Sequence, residues 1–198
     1  TRTTPQNSFN GFTDFISLYA EGDARVAATI RDSTLGVTRQ EAIDAEAFDA
    51  SRVTLTVRDS TLAGNAGNLV SGFAADEGVF SASLLSNTFN SPTQPAVWIQ
   101  ARARNTSDNA RVGLTMTSNR ITSPGGGLEF TTDATDGFAT GRLNLSGNTS
   151  SGGYLLQVLE TAPGDSTLTL FDGTGNTPAP TGVGTVTTSA TLLDILFP

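Results

Sequence analysis

The stretch Arg52-Val53-Thr54-Leu55-Thr56-Val57-Arg58-Asp59-Ser60-Thr61-Leu62 constrains this chain most, because it recurs with drift along nearly the whole sequence. Upstream it reads Arg25-Val26-Ala27-Ala28-Thr29-Ile30-Arg31-Asp32-Ser33-Thr34-Leu35. Downstream come Ser83 to Phe89, Arg111 to Ile121, Leu143 to Thr149 and Leu168 to Thr174. The last inward residue of each copy is Ile30, Val57, Leu84, Met116, Leu145 and Leu170, at separations of 27, 27, 32, 29 and 25 residues. A second apolar series, Ile16, Ile43, Val70, Val97, Leu128 and Leu155, has separations of 27, 27, 27, 31 and 27. Two series sharing one period point to a solenoid whose successive coils stack.

Local patterning sets the type of coil. Val53, Leu55 and Val57 alternate with Thr54, Thr56 and Arg58, a period of two that belongs to strands. Ile43, Ala45 and Ala47 alternate with Asp44 and Glu46 in the second series, and Val97, Ile99 and Ala101 alternate with Trp98 and Gln100. Each coil therefore holds at least two strands, and the chain is predicted to be an all-β parallel β-helix. After the first motif one position holds Ser33, Ser60, Asn87, Asn119, Asn148 and Gly173, short side chains that bond neighbouring backbone and tolerate left-handed geometry. Stacked coils would bring Asn87, Asn119 and Asn148 into an internal amide ladder. The next position holds Thr34, Thr61, Thr88, Arg120, Thr149 and Thr174.

These S-N-T and D-S-T turns after alternating strands resemble the right-handed parallel β-helix repeat proteins. That group includes bacterial secreted and surface proteins of the autotransporter-adhesin kind, polysaccharide lyases and phage tailspikes. The resemblance runs from about Arg25 to Asn176. It implies a single right-handed β-helix of about six coils and an extracellular or cell-surface location, and it leaves activity open, because the fold hosts unrelated functions. Residues 1–24 are expected to form an opening cap or partial coil, with Asn7-Ser8-Phe9 echoing Asn87-Thr88-Phe89. Residues 25–176 hold the repeats. Residues 177–198 read as a Pro-rich turn and an apolar strand that caps the solenoid or pairs with another chain. The opening residue, Thr1, with no signal-peptide pattern visible, fits a mature chain or an excised fragment.

Composition narrows the chemistry. All 11 basic residues are arginine, and the chain has neither histidine nor cysteine. Ser-His-Asp and Cys-His catalysis and His/Cys zinc sites are thereby excluded. A net charge of −8 argues against a nucleic-acid partner. No apolar run reaches the length of a membrane span.

Candidate sites follow from the coil geometry. The outward hydroxyl columns Thr29, Thr56, Ser83, Thr115, Asn144, Thr169 and Ala27, Thr54, Ser81, Gly113, Arg142, Thr167 would suit an ice-binding face if regular, but only Thr54-Leu55-Thr56 and Thr167-Leu168-Thr169 are complete. Tyr19, Phe73 and Trp98 point outward from the second strand series, either under a covering loop or as a stripe for self-association or glycan stacking. Glu41, Asp44, Glu46 and Asp49, with Asp76 and Glu77 one coil later, read as a solvated acidic face, with no aromatic platform beside them; paired carboxylates there would serve glycoside hydrolysis or calcium. Arg31 and Arg58 stack beside Asp32 and Asp59 as a surface charge ladder. Arg102 and Arg104 fall in the longest inter-strand insertion.

The reading is a non-catalytic structural or adhesive protein that needs no cofactor. It self-assembles through its open ends and the tail residues Leu192, Leu193, Ile195, Leu196 and Phe197, helped by the three aromatics. Its partners are copies of itself and a glycan or cell surface. The alternatives are a polysaccharide-binding or -degrading β-helix and an ice-binding solenoid.

Overall fold

In the computed structural model, residues 14–36, 40–64, 67–91, 93–160 and 164–188 are described. Asn7-Ser8-Phe9 and the tail residues Leu192, Leu193, Ile195, Leu196 and Phe197 lie outside them. The first coil is β1 (Ile16–Ala20), β2 (Arg25–Arg31) and β3 (Thr34–Leu35), and the second is β4 (Ile43–Ala47), β5 (Arg52–Arg58) and β6 (Thr61–Ala63). The third is β7 (Val70–Ala75), β8 (Val79–Leu85) and β9 (Thr88–Asn90), and the fourth is β10 (Val97–Ala103), β11 (Asn109–Thr117) and β12 (Arg120–Thr122). The fifth is β13 (Leu128–Ala134), β14 (Phe138–Ser146) and β15 (Thr149–Ser150). Then come β16 (Tyr154–Glu160), β17 (Asp165–Asp172), β18 (Thr181–Val183) and β19 (Val186–Thr188). Every pairing is parallel, and each strand pairs with its counterpart one coil away, giving two seven-stranded sheets and one five-stranded sheet. The protein is a β-solenoid of about six turns, with no helix among the described residues.

The alternation read from the sequence decides what faces in. Val53, Leu55 and Val57 are fully buried while Thr54 and Arg58 between and after them are exposed. Each such buried aliphatic side chain is worth about 1.5–3 kcal/mol. The first sheet (β1, β4, β7, β10, β13, β16, β18) packs its inner face on that of the second (β2, β5, β8, β11, β14, β17, β19). Bulk is exchanged across this layer: a β-carbon on Gly72 of β7 would overlap the Phe80 ring of β8, and one on Gly141 of β14 would sit 2.6 Å from the Phe130 ring of β13. Phe80 and Phe130 are fully buried. The outer faces of these two sheets therefore look in opposite directions.

The turn out of the second sheet is one left-handed residue followed by one laddering residue. Positive φ runs through Asp32, Asp59, Ser86, Ser118, Gly147 and Gly175, at 49 to 67°. Left-handed geometry thus belongs to this column and not to the Ser/Asn column after it. Asn87, Asn119 and Asn148 form the expected ladder. Asn119 Oδ1 accepts from the backbone N–H of Asn87 at 2.8 Å and from its Nδ2 at 3.1 Å. Asn148 Oδ1 does the same for Asn119, at 3.0 and 2.8 Å. Each Nδ2 also donates to a strand-end carbonyl of the preceding coil, from Asn87 to Val57, Asn119 to Leu84 and Asn148 to Met116, all at 2.8 Å. Every polar atom of these buried amides is used, as burial demands.

Register in the last coil departs from expectation. Asn176, not Gly173, continues the ladder, its Oδ1 accepting from Asn148 N–H at 3.0 Å and Nδ2 at 2.9 Å. Thr177, not Thr174, bridges to Thr149. Leu170 pairs with Leu143 instead of Leu145, and a bulge after that pair lets Asp172 meet Asn144. An extra residue in one strand is what a bulge supplies. In the first sheet Tyr154, not Leu155, follows Ile16, Ile43, Val70, Val97 and Leu128 inward. Its ring is fully buried, and burial pushes its hydroxyl up to about 12. Val183 ends β18, paired with Gln157.

Candidate functional site

The outer face of the first sheet carries the densest chemistry on the molecule. Tyr19, Glu46, Phe73 and Gln100 occupy one column, in register through β1, β4, β7 and β10. Asp44, Ser71, Trp98 and Glu129 fill the column beside it. Phe48, just past β4, completes an aromatic ladder: Tyr19 to Phe48 is 5.5 Å between ring centroids, Phe48 to Phe73 is 5.6 Å, and Phe73 to Trp98 is 6.5 Å with the rings near parallel at 10°. Arg102 lies over the other flank of Phe73, 4.7 Å from its centroid. Phe73 points outward as expected, yet its neighbours cover it and leave only 7% exposed, while Tyr19 is 54% exposed and Trp98 is half-buried. Phe73 is thus the anchor of the ladder, and Tyr19 and Trp98 are its free rungs.

This corrects two expectations. The carboxylates of β4 do have an aromatic platform, because Glu46 sits in register between Tyr19 and Phe73. Arg102 belongs to strand β10, not to an insertion, and only residues 104–108 leave the sheet. Arg104 turns back to Asp133 at 2.7 Å and to Thr135.

The acidic residues divide into two groups. Glu41, Asp44 and Glu46 gather with Asp14 at the amino-terminal edge of the first-sheet face. Their carboxyls are raised above the ordinary range, in each case by burial first; Glu41 also shares a hydrogen bond with Asp14, and Asp44 and Glu46 feel neighbouring carboxylates. Folded carboxyls that hold their protons more tightly than unfolded ones leave stability intact below the unfolded value and erode it as pH rises through the folded one. The melting temperature is therefore expected to fall as pH rises from the ordinary carboxylate range into the raised one. Scanning calorimetry across that range checks this, and the slope should flatten in Glu41→Gln and Asp44→Asn.

Asp49, Asp76 and Glu77 lie elsewhere, at the turns between first and second sheets. With Gly22, Asp23, Asn105, Ser107 and Asp108 they line an open groove of about 480 Å³. Asp49 and Asp76 adopt positive φ there, and Asp49 accepts from Gly22 N–H at 3.2 Å. Asp108 caps its own loop by accepting from Arg104 and Asn105 N–H. These acids make turns, and among the described residues no cluster of acids is arranged to hold a metal ion.

The second sheet presents the hydroxyl columns, shifted in the last coil so that Thr169 follows Arg142 and Thr167 follows Thr140. Ser81 and Gly113 are buried in the middle of the Thr54 column, so the threonines do not form a flat exposed array. Arg31 and Arg58 are in register, and both are exposed.

No helix among the described residues is long and apolar enough to cross a membrane. Compared with known proteins, the chain matches no family model, no curated protein and no solved structure.

Proposed function

We propose that this chain is a non-catalytic, extracellular adhesive solenoid that holds a polysaccharide against the outer face of its first sheet. The observation that carries the reading is the aromatic ladder from Tyr19 to Trp98, set in register with hydrogen-bonding side chains. Aromatic faces stack on the C–H faces of sugar rings, and convergent polar groups fix orientation. Glu46, Asp44 and Gln100 stand beside the rings to meet sugar hydroxyls, and Gln157, which accepts from the buried Thr131 at 3.1 Å, continues the Gln100 column. The rigid sheet holds these groups in place before any ligand arrives, which lowers the ordering cost of binding.

The test is co-sedimentation with insoluble cellulose and chitin. Trp98→Ala and Tyr19→Ala are each expected to weaken binding about two- to tenfold, from roughly 0.5–1.5 kcal/mol per aromatic stack. Unchanged binding in both variants, or no binding by the parent chain, contradicts the reading.

A further inference from the structure

The two opposite faces of this solenoid carry opposite charge. The first sheet's outer face has Asp44, Glu46, Glu129 and Asp133 against Arg102 and against Arg104, which pairs with Asp133. The second sheet's outer face has Arg25, Arg31, Arg52, Arg58, Arg111 and Arg142, six of the chain's 11 basic residues, against Asp165 and Asp172, in a protein of net charge −8. Four of the six form two like-charge pairs directly in register, Arg25 with Arg52 and Arg31 with Arg58. Like charges opposite each other on neighbouring strands are unfavourable. Arg25, Arg31 and Arg58 are exposed, and no carboxylate oxygen among the described residues lies within 4.0 Å of them.

We propose that this face is a second binding site, for a linear carboxylated polysaccharide. Along β2 and β5 the two arginine pairs stand about 20 Å apart, six residues at roughly 3.3 Å each, and the members of a pair are about 4.8 Å apart. A polyuronate strand laid along the strands meets guanidinium groups at both ends of its footprint and the hydroxyls of Thr29, Thr54 and Thr56 between them. Guanidinium forks match planar carboxylates in two parallel hydrogen bonds and give up water readily, whereas the hydroxyls suit sugar. An anion seated between Arg31 and Arg58 also lowers their mutual repulsion. The protein's net negative charge works against nucleic acid at long range. With neutral glycan on one side and acidic glycan on the other, the solenoid would bridge two polymers.

Affinity electrophoresis through polygalacturonate, with its methyl-esterified form as the uncharged control, tests this. The parent chain should be retarded by the acidic polymer at least fivefold more strongly than by the ester, and less so as salt is added. The double variant Arg31→Gln/Arg58→Gln should lose about tenfold in affinity while its melting temperature stays level or rises, because a repelling pair is gone. Arg25→Gln, at the other end of the footprint, should weaken retention on its own. Trp98→Ala, on the opposite face, should leave it unchanged, so this site and the aromatic one succeed or fail separately. Equal retardation by the ester, none by either polymer, or unchanged retardation in the arginine variants overturns the proposal. So does equal binding of single-stranded DNA, or light scattering that traces the signal to copies of the chain docking acidic face to basic face.

Discussion

Replacing Asn119 with alanine is expected to lower the stability of this protein by roughly 3–6 kcal/mol, since each buried polar group left without a partner costs about 1–3 kcal/mol. The substitution strips the acceptor from Asn87 N–H and Nδ2 and the donor from Leu84 C=O and Asn148 Oδ1. In a chain of this length that corresponds to a fall in melting temperature of roughly 6–20 °C. Asn119→Asp should be worse at neutral pH, although it changes few atoms. A carboxylate has no hydrogen to give, so its second oxygen would face two acceptors inside a dry stack. Thermal unfolding followed by circular dichroism checks both. Serine at the same position is expected to fall between the parent and alanine, as Ser60 fills the corresponding place two coils earlier, accepting from Ser33 N–H and donating to Arg58 C=O.

Gly72→Ala is the second large effect. Glycine is required there by space and not by backbone conformation, because the missing β-carbon is where the Phe80 ring lies, and Ile99 Cδ1 closes the site at 2.7 Å. Overpacking of this kind costs about 1–3 kcal/mol. Phe80→Leu in the Gly72→Ala background should recover part of the loss, whereas Phe80→Leu alone should destabilise through the cavity it opens. A double-mutant cycle in urea measures this coupling; strictly additive effects would mean that the two residues do not share one space.

Most of the architecture was legible because inward residues obey two periods at once, two along a strand and about 27 between coils. Val53, Leu55 and Val57 state the first, and Ile16, Ile43, Val70 and Val97 state the second. Legibility failed where the coil length changed. Aligning Leu170 with Leu145 keeps the apolar pattern but ignores the bulge, which only hydrogen bonding reveals. A signal was present nonetheless: Gly147-Asn148 recurs as Gly175-Asn176, a left-handed glycine followed by a ladder amide. The aromatic–carboxylate face was half legible. Tyr19, Glu46, Phe73 and Gln100 are each 27 residues apart, so one column of the site follows from the repeat alone. Phe48 sits outside the alternation, in a turn, and its place between Tyr19 and Phe73 depends on how that turn folds over the sheet. The charge division between opposite faces needed the strand register of the outward residues, which the apolar series fixes only indirectly.

The most direct measurement uses the fact that the chain has a single tryptophan, Trp98, stacked on Phe73 in the proposed glycan site. Titration with soluble cello- or chito-oligosaccharides, read by tryptophan fluorescence, should give a saturable change in intensity and a shift in emission maximum, with weaker affinity in Tyr19→Ala. Binding detected by calorimetry with no change at Trp98, or no binding to the first-sheet face by any of these sugars, would contradict the account.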